Sequence, residues 1–296
     1  MKRIKKELWV DSLVMSREGS YYKNSKILND MKNLNYAVEN DRINWAFRGA
    51  DAQVIMNATY PLPVARQTGF PDYTELDKFP TEAIPARNIE ELELSYDERR
   101  DFLDGTRQNL VAAIERDCMW SLGPTSNSVD APIYNTPSSN PLGTDGYQLV
   151  TADDLMALRI MLDNQYPAHM EDEWVLVLDS DSYRDMRTQL ALNQQTGVCY
   201  CGFEIYEDNR TPFYKTDGTK LPNGSTPIIG MDLPSCIAYV KQKSGFFATG
   251  TTKMSPNLDN PIEQGSIWSF LTRAKAGMFG AIKGQEALTA AILRTR

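Results

Sequence analysis

The clearest periodic signal in the chain lies between Ser95 and Leu122. Tyr96, Leu103, Leu110, Ile114 and Cys118 recur on one stripe, with Phe102, Val111 and Met119 at its edge, which is the spacing of an amphipathic helix. Ser95-Tyr-Asp-Glu98 supplies a capping box, in which the Ser hydroxyl and the Glu carboxylate satisfy orphan backbone donors. Asp97, Glu98 and Asp101 crowd the first turn, where the helix dipole favours acids. Gly123-Pro124 stops the element. Gly105 inside it costs about 1 kcal/mol relative to Ala, so the helix needs tertiary support.

Upstream of that helix the pattern is weaker. Residues 1–50 read as an arm without a core of its own, with a short stripe at Ile4 and Leu8 beside Trp9. A second helical candidate runs from Ile27 to Leu34, carried by Ile27, Leu28, Met31 and Leu34. Residues 51–94 change character: Gln53 to Met56 reads as a strand, and Pro61, Pro63, Pro71, Pro80 and Pro85 exclude helices. Ile89 to Leu94 suits an exposed strand. The segment predicts a long two-stranded excursion that is marginal alone and lies on a neighbour.

Downstream, residues 123–148 form a Ser-, Thr- and Pro-rich loop of a length that usually carries function or an interface. Thr151-Ala-Asp-Asp154 starts a second helix with Leu155, Leu158 and Leu162 inward, ended by Tyr166-Pro167. Trp174 to Leu178 is an apolar strand. Ser180 or Asp181 caps a third helix carrying Tyr183, Met186 and Leu190. Phe203 to Tyr206 predicts a strand, residues 208–227 a polar loop, and Ile228 to Met231 and Ile237 to Lys241 two short strands. The tail from Gly245 to Ala287 reads as strands and loops around Ile267, Trp268, Phe270 and Leu271, and Ala287 to Leu293 as a strand or short helix. The whole is α+β, without an internal repeat.

Composition narrows the function classes. With 31 basic and 39 acidic residues the formal charge is −8, and 42% of residues are hydrophobic. Such a chain has enough apolar surface to fold, and its length of 296 residues suggests two lobes. No apolar run approaches the about 20 residues that a membrane span needs. The acidic balance argues against a dedicated nucleic-acid binder. Lys2, Arg3, Lys5 and Lys6 form a small basic head that no apolar segment follows, so it does not read as a secretory signal. Cys118, Cys199, Cys201 and Cys236 are too few and scattered for a disulfide framework.

Several pieces carry candidate chemistry. Val175-Leu-Val-Leu-Asp179-Ser-Asp181 resembles the first motif of haloacid-dehalogenase-type phosphatases and the metal-binding pair of glycosyltransferases. Two carboxylates at a strand end can hold Mg²⁺ while one attacks or orients a phosphate. The competing reading makes Asp179, Ser180 and Asp181 a strand-to-helix turn with an N-cap. The downstream acidic pair is missing, since Gly230-Met-Asp232 is a poor match. Gly245-x4-Gly250-Thr-Thr-Lys253 outlines a phosphate loop, but the Lys comes two positions late and Met254-Ser255-Pro256 cannot open the helix. Cys199-Tyr-Cys201 lacks two further metal ligands and reads as half-buried strand thiols. His169, the single histidine, reads as a solvated loop residue. Glu90 and Glu91 read as a charged strand face. These pieces assign no catalytic, cofactor-binding or metal-binding residue, and no cofactor is implied.

The order of parts resembles the Hong Kong 97-type major capsid proteins of tailed bacteriophages, most of all those of phages infecting Bacteroidetes-type bacteria. The likeness rests on Lys6-Glu-Leu-Trp9-Val-Asp11, Ile89-Glu-Glu-Leu-Glu-Leu-Ser-Tyr96-Asp-Glu-Arg-Arg, Thr151-Ala-Asp-Asp-Leu155 with Leu158, Trp174-Val-Leu-Val-Leu-Asp179-Ser-Asp-Ser-Tyr183 and Phe203-Glu-Ile-Tyr206. The resemblance implies an N-terminal arm (1–50), an extended hairpin loop (51–94), a spine helix and peripheral lobe (95–169), an axial lobe (170–240) and a return to the peripheral lobe (241–296). It implies a non-enzymatic shell subunit assembling as pentamers and hexamers around double-stranded DNA. Its partners would be copies of itself, a separate scaffolding protein, a portal and decoration proteins, with only weak non-specific DNA contact and no membrane. The implied location is the virion, assembled in the host cytoplasm. Some members of that family cross-link a Lys to an Asn, and no such pair can be assigned in this sequence. The Asp179/Asp181 enzyme is the competing class, and a tail or decoration protein, richer in strands and lacking the long helix, is a third.

Overall fold

The computed structural model describes residues 25–47, 70–82, 84–87, 96–189, 198–260, 265–281 and 287–296. The stripe at Ile4 and Leu8, the strand at Gln53 to Met56, the alternation from Ile89 to Leu94 and the Ser95 cap lie outside those residues.

Ser25 caps helix α1 (Lys26–Asp30), its Oγ accepting the Leu28 N–H at 3.3 Å. The helix expected to reach Leu34 therefore stops after one turn. Met31 turns extended, and β1 (Lys32–Asn33) pairs in parallel with Phe246 and Phe247. The four apolar residues still reach the core, because their spacing suits burial from either backbone. Next come β2 (Val38–Glu39), β3 (Arg42–Phe47), β4 (Phe70–Glu75), β5 (Asp77–Pro80) and β6 (Ile84–Arg87). The long helix α2 spans Tyr96–Leu122, as its stripe predicts. Beyond it lie β7 (Ile133–Asn135), α3 (Ala152–Gln165), β8 (Trp174–Leu178) and α4 (Ser180–Gln189). The chain closes through β9 (Val198–Tyr200), β10 (Phe203–Glu207), β11 (Phe213–Tyr214), β12 (Leu233–Val240), β13 (Gly245–Asn260), β14 (Gly265–Met278) and β15 (Thr289–Leu293).

Three sheets result. A seven-stranded sheet has the order β7-β15-β12-β8-β10-β9, with β11 also on β12. A five-stranded sheet runs β1-β13-β14-β5, with β6 also on β14, and a small one runs β2-β3-β4. The tail expected as strands and loops is instead dominated by one antiparallel hairpin of 16- and 14-residue strands.

The central strands of the larger sheet are buried on both faces, which explains why Trp174 to Leu178 is apolar throughout rather than alternating. Trp174, Leu176 and Leu178 join Leu155, Leu158, Leu162 and Met186 of α3 and α4 on one side. Val175 and Val177, with Ile237 and Tyr239, face α2 on the other. The same side of α2 carries Ile114, Cys118, Met119 and Leu122 into contact with Phe247, Ala274 and Ala276 of the five-stranded sheet. Helix α2 is thus the joint between the two sheets. Gly245 permits the closest approach there, because a Cβ on it would strike Met31 Sδ and come within 3.0 Å of Leu122.

A second anchor holds the small sheet. Asn40 and Asp41 take φ of 51° and 59° in the two-residue turn between β2 and β3. Asp41 Oδ1 accepts the Thr251 N–H at 3.1 Å at a β-bulge of β13, and its carboxylate meets Arg273 at 3.2 Å.

Replacing Ile114 with Ala removes a fully buried side chain from the joint and should cost about 2–5 kcal/mol in denaturant unfolding. A loss under about 0.5 kcal/mol, typical of a surface site, would contradict the joint. Burial raises the Asp30 carboxyl above the ordinary carboxylate range, although Tyr239 donates to it at 2.9 Å. Asp30 therefore contributes most at low pH and loses that contribution as pH rises through its raised pKa. Asp30→Asn should gain stability relative to the parent over that interval, read from urea midpoints at several pH values. A pH-independent difference would contradict this reading.

Candidate functional site

The register of the larger sheet brings the carboxyl ends of β8, β10, β15 and β7 to the same edge as the start of β12. Asp179-Ser-Asp181 sits there. Asp179 Oδ2 accepts the Ser182 N–H at 3.2 Å, capping α4, and the Arg294 Nη1–H at 2.7 Å. Arg294 is only 1% exposed. It also donates to both Asp145 oxygens, at 2.8 and 2.9 Å, and through Nε to the Gln148 carbonyl at 2.9 Å. Asp181 turns elsewhere, to the Thr144 hydroxyl at 2.6 Å and to Arg184 at 3.4 Å. Asn209 completes the turn, accepting the Ser180 N–H at 2.8 Å.

The position where a Mg²⁺ would sit beside Asp179 is filled by the Arg294 guanidinium. The two carboxylates have separate partners, and the strand-to-helix turn accounts for both. Among the described residues no cluster of three or more His, Cys, Asp or Glu side chains is placed to hold a metal ion.

The other sequence candidates disperse. Gly245 to Lys253 lies within β13, so its glycines serve close packing and the bulge rather than a helix N-terminus. His169 departs from the solvated loop expectation: its side chain is 19% exposed, and Nδ1 lies 2.6 Å from Asp172 Oδ2. The 3-10 turn Pro167–His169 folds it back onto that acid, which Lys243 also contacts at 2.7 Å. Cys199 lies in β9, but Cys201 leaves the strand at φ 51° in a two-residue turn with Gly202. Burial pushes the Cys118 and Cys236 thiols well above their ordinary range, so neither is a ready nucleophile.

At the same sheet edge the chain displays apolar side chains outward. Ile228, Ile229 and Met231 are 59%, 88% and 64% exposed. The expected strand at Ile228 to Met231 is a turn: the Met231 and Asp232 N–H groups both donate to the Ile228 carbonyl at 3.0 Å, and Gly230 takes φ 88°. Asp232 Oδ2 accepts the Ile228 N–H at 2.6 Å, and the Tyr147 hydroxyl accepts the Gly230 N–H at 2.7 Å while donating to the Asp232 carbonyl at 2.9 Å. Arg296 reaches the Gly230 carbonyl at 3.1 Å. The backbone polar groups are held inward, and the apolar groups are fixed toward solvent. Leu142, also exposed, lies one residue from Gly143, whose N–H donates to the Tyr147 carbonyl at 2.7 Å. The turn thus presents an exposed apolar patch at this edge. Sequence reasoning missed it, although Pro227 and Gly230 around adjacent isoleucines break strand alternation. A second apolar pair, Met156 and Ile160, stands on the outer side of α3.

The two sheets joined by one long helix match solved phage capsid proteins, and the chain has the Hong Kong 97-type fold. The capsid of Ralstonia phage GP4 matches with a TM-score of 0.59 at 9% identity, over 90% of this chain and 88% of that one. The capsid of the native GTA particle matches with a TM-score of 0.57 at 11% identity, over 90% and 88%. The satellite phage P4 procapsid matches with a TM-score of 0.56 at 10% identity, over 100% and 98%. No protein-family model and no curated protein sequence matches the chain.

Arg294→Met removes the buried cation shared by the partly exposed Asp179 and the exposed Asp145 and should cost about 1.5–3 kcal/mol. Asp181→Asn, which loses a partly exposed contact, should cost about 1 kcal/mol or less. Equal losses in parallel urea melts would contradict the assignment of Arg294 as the hub.

Proposed function

We propose that this chain is the structural subunit of an icosahedral phage head, assembling as pentamers and hexamers into the shell that encloses double-stranded DNA. The observation that carries this reading is the fold itself, shared with capsid proteins over about nine-tenths of both chains. The outward apolar turn at Ile228–Met231 and the outer side of α3 supply surfaces for neighbouring copies. A shell requires large, quasi-symmetric contacts and no turnover, and the neutralised Asp179 turn is in keeping with that.

In this reading residues 1–50 are the arm, and the excursion at 51–94, flanked upstream by β3 and carrying β4, β5 and β6, reaches a neighbouring subunit. Residues 95–169 hold the spine helix and peripheral lobe, 170–240 the axial lobe and 241–296 the return. Strand β15 pairs with β12 and β7 in the larger sheet. The proposed partners are further copies of the chain, a separate scaffolding protein, a portal and decoration proteins. The basic head at Lys2 to Lys6 touches packaged DNA only weakly. The subunit would be made in the host cytoplasm and reside in the virion, and the five sequence pieces together are most similar to capsid proteins of phages infecting Bacteroidetes-type bacteria.

Ile229→Asp puts a charge at the most exposed point of the turn without touching the core. Sedimentation should show rings and shells of the parent replaced by small species, with an unchanged circular dichroism melt. Full-yield shells from the variant would contradict the proposed contact.

A further inference from the structure

Asn223-Gly224 is the single Asn-Gly pair in the chain, and both residues are exposed. They form the corner of a tight turn in which the Ser225 N–H donates to the Pro222 carbonyl at 3.2 Å, and Gly224 takes φ 79°. A Cβ on Gly224 would meet nothing within 4 Å, so no neighbouring side chain crowds this exposed turn.

This turn is tied to the last turns of α2. Asn223 Nδ2 donates to Asp117 Oδ1 at 2.7 Å, and Trp120 Nε1 donates to the Leu221 carbonyl at 2.8 Å. Lys220 Nζ donates to the Trp120 and Gly123 carbonyls at 3.0 and 2.6 Å, and lies 4.2 Å from the centre of the Trp120 ring. These contacts cover the orphan carbonyls at the helix end. Asp117 already sits in a costly environment, partly buried and facing Asp77 of β5, with Lys275 of β14 in partial compensation.

We propose that Asn223 is a spontaneous deamidation site whose conversion releases the 220–225 turn from the end of the spine helix. The Gly224 nitrogen, losing its proton, bonds to Asn223 Cγ and expels Nδ2 as ammonia, closing a succinimide. Water then opens the ring to aspartate or isoaspartate. One water is consumed and one ammonia leaves, with no oxidant or cofactor. The product replaces an amide donor by a carboxylate directly against Asp117, and two such groups in contact cannot both ionise without repulsion. The device is independent of the shell reading, and in a long-lived particle it would act as a slow covalent clock on each copy.

The test incubates the purified full chain in mildly alkaline buffer and follows position 223 by peptide mass spectrometry. A one-dalton gain at Asn223, accumulating ahead of every other Asn and absent in Asn223→Gln, is expected. Persistence of the amide while other asparagines convert would overturn the site. Release is read separately, by the rate of tryptic cleavage after Lys220. Asn223→Asp should be cut several-fold faster than the parent, and Asn223→Asp with Asp117→Asn should return to the parent rate. Parent-like cleavage of the single variant, or no rescue in the pair, would overturn the release.

Discussion

Everything in this fold hangs on the inner face of one helix. Ile114, Cys118, Met119 and Leu122 pack at once against Val175, Val177, Ile237 and Tyr239 of one sheet and Phe247, Ala274 and Ala276 of the other. Each sheet alone leaves an apolar face exposed, and α2 is narrow enough to serve both. The hydrophobic effect, at about 25 cal/mol per Å² of buried apolar area, makes that shared face the main attraction holding the two sheets to each other. Gly105 faces open space on this helix, so the helix keeps its form through the packing of its C-terminal half rather than through local propensity alone.

The arrangement also explains where polar chemistry went. Central strands buried on both faces cannot carry charges along their length, so the charges gather at strand ends. At the carboxyl edge the guanidinium of Arg294 neutralises Asp179 and Asp145 together, and the Asp-x-Asp motif becomes a cap and an ion pair. At the amino end of β8, Glu204 of β10 and Lys241, just past the end of β12, form an ion pair beside it. With those groups paired, the turn at Ile228–Met231 stands as an exposed apolar feature of the carboxyl edge.

Much of this was legible from residue spacing. The stripe of α2, the leucines of α3, the unbroken run of β8 and the strand at Phe203 each declare their element, because each pattern is set by burial on known faces. Features decided by distant partners were not legible. The helix at Ile27 is cut short by pairing of Lys32 and Asn33 with a strand more than two hundred residues away. Arg294 finds Asp145 and Asp179 only through the return of β15 into the larger sheet. The turn at Ile228–Met231 looks like a strand until Tyr147 and Asp232 claim its backbone. Family resemblance supplied the overall architecture, and local pattern supplied the elements, but the exposed apolar turn needed the assembled chain.

The central claim is that two sheets jointed by one helix form a building block for a closed shell. Cryo-electron microscopy of the heaviest particles from cells expressing the full chain tests it most directly. The account predicts closed shells whose repeating density fits the jointed sheets, with the Ile228–Met231 turn buried between copies. A chain that stays a monomer or dimer, or shells that leave this turn in solvent, would contradict it.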